Sequence, residues 1–117
     1  MNIKRGEVYY INIENKTNHI QNGHRPYLIV SNNKCNEYSP TLLAVALTTK
    51  LKRLEMPTHV EINDLKIKSM ALCEQIFTVS RDDICDENYM GTISNKTLHK
   101  INIALIESLG IIDWKRK

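Results

Sequence analysis

At 117 residues and 42% hydrophobic content the chain can bury one core but not two, so a single domain over residues 1–117 is expected. Sixteen Lys and Arg against thirteen Asp and Glu leave a formal charge of +3, a mild surplus that suits a nucleic-acid partner without demanding one. No apolar run nears the ~20 residues that a membrane helix needs, and the N-terminal MNIKRGEVYY lacks the apolar centre of an export signal, so a cytoplasmic protein with no membrane contact is expected.

After Lys4-Arg5-Gly6, the β-branched and aromatic residues of 7 to 13 predict a first strand. Val8, Tyr10 and Asn12 share one face of it, and Glu7, Tyr9, Ile11 and Ile13 the other. Residues 14 to 24, ENKTNHIQNGH, hold three Asn and a Gly and read as a long polar loop. Loops of that length inside a compact domain are usually functional or mobile. The apolar run at 26 to 31 predicts a second strand covered on both faces, and NNKCNEYSP at 32 to 40 a polar connection closed by Pro40. TLLAVALTT supplies a third strand at 41 to 47, with Thr48 and Thr49 at its exit.

KLKRLEMP follows, with Lys50, Lys52 and Arg53 the densest basic stretch before the C-terminus. Pro57 ends it, and the alternation of THVEI predicts a fourth strand at 58 to 62. Residues 69 to 79 suggest a further strand or two, with Glu74 and Gln75 embedded in the apolar run. Arg81, Asp82 and Asp83 open a short helical or irregular turn, and YMGTI at 89 to 93 predicts a last short strand. The cysteines, Cys35, Cys73 and Cys85, are odd in number and lack metal-ligand spacing, so neither a disulfide frame nor a zinc site is expected.

Ser94 caps a predicted helix that runs to Leu109 and stops at Gly110. Leu98, Ile101, Leu105 and Leu109 fall at helical spacing as a core stripe, while Ile103 and Ile106 widen the apolar surface. Those two isoleucines mark either deep burial or a second contact face, most simply in a homodimer. The elements add up to a small, mostly β, barrel-like domain with a C-terminal helix.

Chemistry centres on HRPYLIVSN at 24 to 32. Arg25 stands at the mouth of the second strand beside Pro26, which fixes the backbone. A guanidinium stays charged and is costly to bury unpaired, so its fork is expected to face an anion; for Arg25 taken alone, an interface or surface ion pair accounts for it better.

KRGEVYY, GHRPYLIVSN, SPTLLAVALTT, PTHVEI and ALCEQI, in that order and ending in the SLG helix terminus, resemble the MazF/PemK/Kid family of toxin endoribonucleases over nearly the whole chain. The resemblance implies a small SH3-like barrel that forms a homodimer. It also implies metal-independent, cofactor-free cleavage of single-stranded mRNA by the toxin of a type II toxin–antitoxin system, restrained by a cognate antitoxin. Arg25 and Thr48 match the Arg and Thr pair of that family. Such cleavage drives the ribose 2′-OH onto the adjacent phosphorus and leaves a 2′,3′-cyclic phosphate and a 5′-OH. The step needs a proton acceptor, a proton donor and charge stabilisation on the phosphorane.

Arg25 offers a bidentate fork to phosphate oxygens and Thr48 a hydroxyl, with Thr49 next door as a competing candidate. His19 in the first loop is a candidate acid or base, or a solvated loop residue. His24, His59 and His99 show no acid–base companion and read as structural or surface residues. Lys16, Asn18 and Gln21 in the first loop, and Lys50, Lys52 and Arg53 in the second, are candidate RNA contacts, as is the Gln75 amide. Among the aromatics Tyr38 sits in an obvious loop, which leaves base stacking with little support. Many relatives carry Ser-Glu before the Gln-Gly segment; here His19-Ile20-Gln21-Asn22-Gly23 stands there, a departure that bears on sequence preference. The alternative is a CcdB-type toxin, which binds gyrase without catalysis through a Trp near its C-terminus; Trp114 fits that place, or pins the terminus.

Overall fold

The computed structural model describes residues 2–13 and 23–112. In chain order these form β1 (Glu7–Ile13), β2 (Gly23–Ile29), α1 (Asn33–Tyr38), β3 (Thr41–Thr48), β4 (His59–Ile62) and β5 (Ser69–Ser80). Two single-turn 3₁₀ segments, Arg81–Asp83 and Asp86–Asn88, lead to β6 (Tyr89–Thr92) and α2 (Asn95–Leu109). The six strands make one antiparallel sheet in the order β4-β5-β3-β2-β1-β6. This sheet is not closed: β4 and β6 keep free edges, so the expected barrel is an open sheet.

The alternation of each strand fills two cores. One face carries Val8, Leu28, Val45, Leu47, Val60 and Ile62 under α2, which contributes Ile101 and Ala104. The other carries Tyr9, Ile11, Tyr27, Ile29, Ala44, Ala46 and Leu72, closed by Ile3 and Ile84 from flanking segments. A sheet buried on both faces needs apolar residues at successive positions, which is why β2 and β3 read as continuous runs.

Two elements differ from expectation. β2 starts at Gly23 rather than at residue 26, because β1 pairs with its polar beginning through Ile13↔Gly23, Asn12↔His24 and Ile11↔Arg25. Residues 32 to 40 contain α1 where a plain connection was expected; Asn32 caps it by accepting from the Cys35 N–H at 2.8 Å. Tyr38 therefore ends a helix. The buried Asn36 amide donates to the Ser31 carbonyl at 2.8 Å, and the Arg81 guanidinium donates to the Asn36 and Ser39 carbonyls. These distant partners hold a polar segment in a helix that its own pattern does not specify.

β5 is a single strand of 12 residues, one of the two readings open for that run. Its register against β3 jumps from Val45↔Ile76 to Ala46↔Leu72, which leaves Cys73, Glu74 and Gln75 opposite no β3 residue. A bulge of this kind re-aims side chains locally.

α2 begins where Ser94 accepts from the Thr97 N–H at 3.2 Å and ends at Gly110, whose φ of 65° closes the C-cap. Arg5 ties the helix to the sheet, donating to the Val30 carbonyl and to Asn102 Oδ1, both at 2.8 Å. Leu109 leaves the predicted core stripe, being 59% exposed. Ile103 and Ile106 are 53% and 47% exposed, which removes deep burial within this chain as their explanation. No helix among the described residues is long and apolar enough to cross a membrane.

Candidate active site

Arg25 lies inside β2, not at its mouth, with its backbone opposite Ile11 of β1. The β2–β3 ladder runs Ile29↔Ala44, Leu28↔Val45, Tyr27↔Ala46. Arg25 and Thr48 each stand two residues past the last pair of that ladder, in line by strand alternation with Tyr27 and Ala46. Pro26 between Arg25 and Tyr27 has no N–H to give, which suits the point where the β3 ladder stops. Arg25 and Thr48 are each half-buried, so the pair lies at the rim of the core rather than within it.

The Thr48 hydroxyl oxygen accepts from the Lys50 N–H at 3.1 Å. That contact uses a lone pair and leaves the hydroxyl proton available to a ligand. Thr49, one residue on, is exposed and lies past the end of β3. Below the rim, Tyr27 is fully buried and packs edge-to-face on Phe77 with ring centroids 5.4 Å apart. Burial raises the Tyr27 pKa, and the charge of Arg25 pulls it back down, which puts that cation within electrostatic reach of the phenol.

Lys50, Lys52 and Arg53 follow Thr48 directly and are all exposed, giving three cations beside the pair. Arg53 has a φ of 54°. Gln75 belongs to the β5 bulge and is half-buried. His19, Lys16, Asn18, Gln21 and Trp114 lie outside the described residues.

Two of the remaining histidines have partners that the sequence did not announce. His24 stacks on Tyr10, with centroids 5.5 Å apart and planes 26° from parallel. His59 Nε2 lies 3.3 Å from Glu74 Oε2, while its Nδ1 lies 3.0 Å from the Arg53 carbonyl oxygen. These two carry no shared motif: the β4–β5 register and the β5 bulge bring them together. Thr58 donates its hydroxyl to the other Glu74 oxygen at 2.9 Å.

Cys73 is buried, and desolvation together with nearby Glu74 pushes its thiol up to about 12, so it is no nucleophile near neutral pH. Among the described residues no group of three or more His, Cys, Asp and Glu is gathered as a metal site would require.

The family described as PemK-like, MazF-like toxin of type II toxin-antitoxin system matches residues 4–109. The chain is 32% identical over 118 residues to endoribonuclease EndoA of Bacillus subtilis, spanning 97% of this chain and all of that protein. It is 34% identical over 113 residues to endoribonuclease MazF of Staphylococcus saprophyticus, spanning 93% and 92% of the two chains. Among solved structures, an endoribonuclease from a mycobacterial species in complex with its cognate antitoxin superposes with a TM-score of 0.79 at 32% identity, covering 94% of this chain and 97% of that one. MazF from Deinococcus radiodurans, at 19% identity, shares the fold with a TM-score of 0.80 and coverage of 95% and 99%. The gyrase-binding alternative draws no support from these relatives. The chain belongs to the PemK-like, MazF-like toxin family of type II toxin–antitoxin systems.

Proposed function

We propose that this toxin is a sequence-specific endoribonuclease that cuts single-stranded mRNA by attack of the ribose 2′-OH on the adjacent phosphorus. The observation that supports this reading is that Arg25 and Thr48 are both half-buried at the end of the β2–β3 ladder, each two residues past its last pair, in a chain whose relatives are named endoribonucleases. In the reaction a bond forms between the 2′-oxygen and phosphorus while the bond to the 5′-oxygen breaks. The proton from the 2′-OH leaves to a base, and a proton is delivered to the departing 5′-oxygen. The products are a 2′,3′-cyclic phosphate and a 5′-OH, with no water consumed.

Arg25 holds the two non-bridging oxygens through its fork, strengthening as charge accumulates on the phosphorane. Thr48 donates its free hydroxyl proton to the same oxygens. A guanidinium stays protonated, so Arg25 stabilises charge rather than shuttling the proton. His19 is the candidate for the acid–base role. Lys16, Asn18, Gln21, Lys50, Lys52, Arg53 and Gln75 guide the strand on either side of the scissile phosphate. The protein works in the cytoplasm as a homodimer through the exposed Ile103 and Ile106 face, and a cognate antitoxin restrains it.

The test is incubation of purified protein with a long single-stranded RNA in excess EDTA, beside Arg25→Ala. Cleavage in EDTA by the unaltered protein, cyclic phosphate ends, and loss of activity in Arg25→Ala are expected. Cleavage abolished by EDTA would overturn the metal-independent mechanism, and equal cleavage by Arg25→Ala would remove Arg25 from it.

A further inference from the structure

The segment from Lys50 to Thr58 carries the three cations beside Thr48, and its far end is fastened by side chains. His59 is the fastener: its side chain is 8% exposed, so the ring is not a solvated surface group. One ring nitrogen reaches the Arg53 carbonyl at 3.0 Å and the other reaches Glu74 at 3.3 Å. The same Arg53 carbonyl accepts from the Met56 N–H at 3.1 Å, and Arg53 is the one non-glycine residue at positive φ among those described. Left-handed backbone at a non-glycine residue persists only where its surroundings hold it. Glu74 sits in the β5 bulge directly before Gln75, and Cys73 beside it donates its N–H to the Thr58 carbonyl at 2.9 Å.

The proton count is specific. A carbonyl oxygen only accepts, so Nδ1 must carry a proton to bond it. A carboxylate only accepts, so Nε2 must carry one as well. Both contacts are satisfied together by an imidazolium, and a neutral ring leaves one of them without a donor.

Glu74 from β5 is the charged group in contact with this ring, and Glu55, Glu61 and Lys100 line the same cleft as His59. Glu61 is engaged by Lys68 at 3.3 Å, and Glu55 lies 3.9 Å from the Arg53 guanidinium. Glu74 is therefore the counter-ion in contact with the ring.

We propose that His59 and Glu74 are positioning residues, a proton-closed clamp that holds the basic loop and the Gln75 bulge as one RNA-reading unit. The inference rests on the reading of Lys50, Lys52, Arg53 and Gln75 as RNA contacts, and it names what sets their relative placement. As the ring loses its proton, one of its two contacts opens and the loop carrying the cations loosens from the bulge.

Glu74→Gln separates this clamp from an ordinary structural contact. The glutamine amide donates to a neutral ring at Nε2 while its oxygen still accepts from Thr58, so the clamp closes without the extra proton. KM for a long single-stranded RNA, followed across a pH series, should rise about fivefold to tenfold as the ring loses its proton in the unaltered protein, the effect of one lost hydrogen bond. In Glu74→Gln that rise should be absent, and kcat should change in parallel in both proteins. His59→Ala should show the high KM at every pH together with a broadened set of cleavage sites.

An NMR titration reads the clamp without any cleavage. Ring nitrogen shifts of His59 should report both N–H groups when the clamp is closed, and the amides of residues 50 to 57 should move with loss of the ring proton in the unaltered protein but not in Glu74→Gln. Loop amides indifferent to His59, or identical KM profiles in the two proteins, would overturn the proposal. Loop amides that follow His59 in a protein that cuts no RNA would leave the clamp standing and overturn the nuclease reading instead.

Discussion

The Tyr27 hydroxyl is buried within the field of Arg25 and finds no hydrogen-bond partner among the described residues. Water would otherwise satisfy that hydroxyl, so its burial carries a desolvation cost that the Phe77 contact does not return. Tyr27→Phe deletes the orphaned oxygen and keeps the ring packing. It should raise stability by about 1 kcal/mol, read as a higher urea midpoint at unchanged slope or a melting temperature up by about 3–6 °C. RNA cleavage should persist. A lower midpoint would show that the hydroxyl is engaged after all.

Thr48 is the half-buried last residue of β3 and Thr49 is exposed just beyond it, and this separates them experimentally. Thr48→Val keeps the β-branched shape and removes the donor, so kcat should fall by about 10²–10³, the usual effect of losing one donor to a developing oxyanion. Thr48→Ser should retain most activity, and Thr49→Val should be near unaltered. A large loss in Thr49→Val with a mild one in Thr48→Val would exchange their roles.

Much of this arrangement is legible in the chain itself. β1, β3, β4 and α2 announce themselves by β-branched alternation, by an apolar run closed with threonines, and by a serine cap answered by a left-handed glycine. The Arg25–Thr48 pair comes from the family resemblance, and the β2–β3 ladder ends two residues short of both. What escaped notice depends on partners far away in sequence. α1 is polar throughout and is held by Arg81, 45 residues from Asn36. The His59–Glu74 contact exists because β5 slips by three residues against β3, and no local pattern encodes a slip. Leu109 continues the helical stripe by spacing, yet the sheet ends before it and leaves it exposed. Periodicity tells which side of an element is apolar, and only packing tells how far the neighbour extends.

Asp64 anchors the start of α2 from outside the helix, accepting from the Ser94 N–H at 2.7 Å and from the Thr97 hydroxyl at 2.9 Å. Burial pushes its pKa upward, but the donations from Ser94 and Thr97 outweigh that and hold it below the ordinary carboxylate value. A folded-state pKa depressed below the unfolded one contributes stability above the unfolded value, near pH 3.9, and loses it as pH falls through the folded value. Asp64→Ala should therefore cost about 1 kcal/mol at pH 7, as loss of a helix cap does, and progressively less on acidification below about pH 4. Chemical denaturation at a series of pH values checks this; a difference that grows with acid would contradict the assignment.

Lys50, Lys52 and Arg53 are exposed and adjacent, so their contribution to RNA binding is long-range and open to screening. Each phosphate contact removed should lower the magnitude of the slope of log affinity against log salt by ~0.7 for a single strand. Binding of a single-stranded RNA to Lys50→Ala, Lys52→Ala and Arg53→Ala across a salt series reads this directly. A residue whose replacement weakens binding without changing the slope contacts a base or supports the loop rather than a phosphate.

Ile103 and Ile106 lie outward on α2, with Leu109, Ile111 and Ile112 continuing the apolar surface past the helix end at 59%, 52% and 83% exposure. Isolated apolar residues on a surface need no explanation, but a contiguous patch of this kind marks a contact face. A homodimer covers it with the same patch of a second copy, since a two-fold interface is self-complementary. Ile103→Glu combined with Ile106→Glu brings like charges together across such an interface, while in the monomer both side chains stay in water. Sedimentation should shift from dimer to monomer for the double variant, with the urea midpoint of the monomeric fold little changed when compared at the same concentration. An unaltered protein that sediments as a monomer at tens of micromolar would remove the dimer, and a double variant that remains dimeric would move the interface to another face of the sheet.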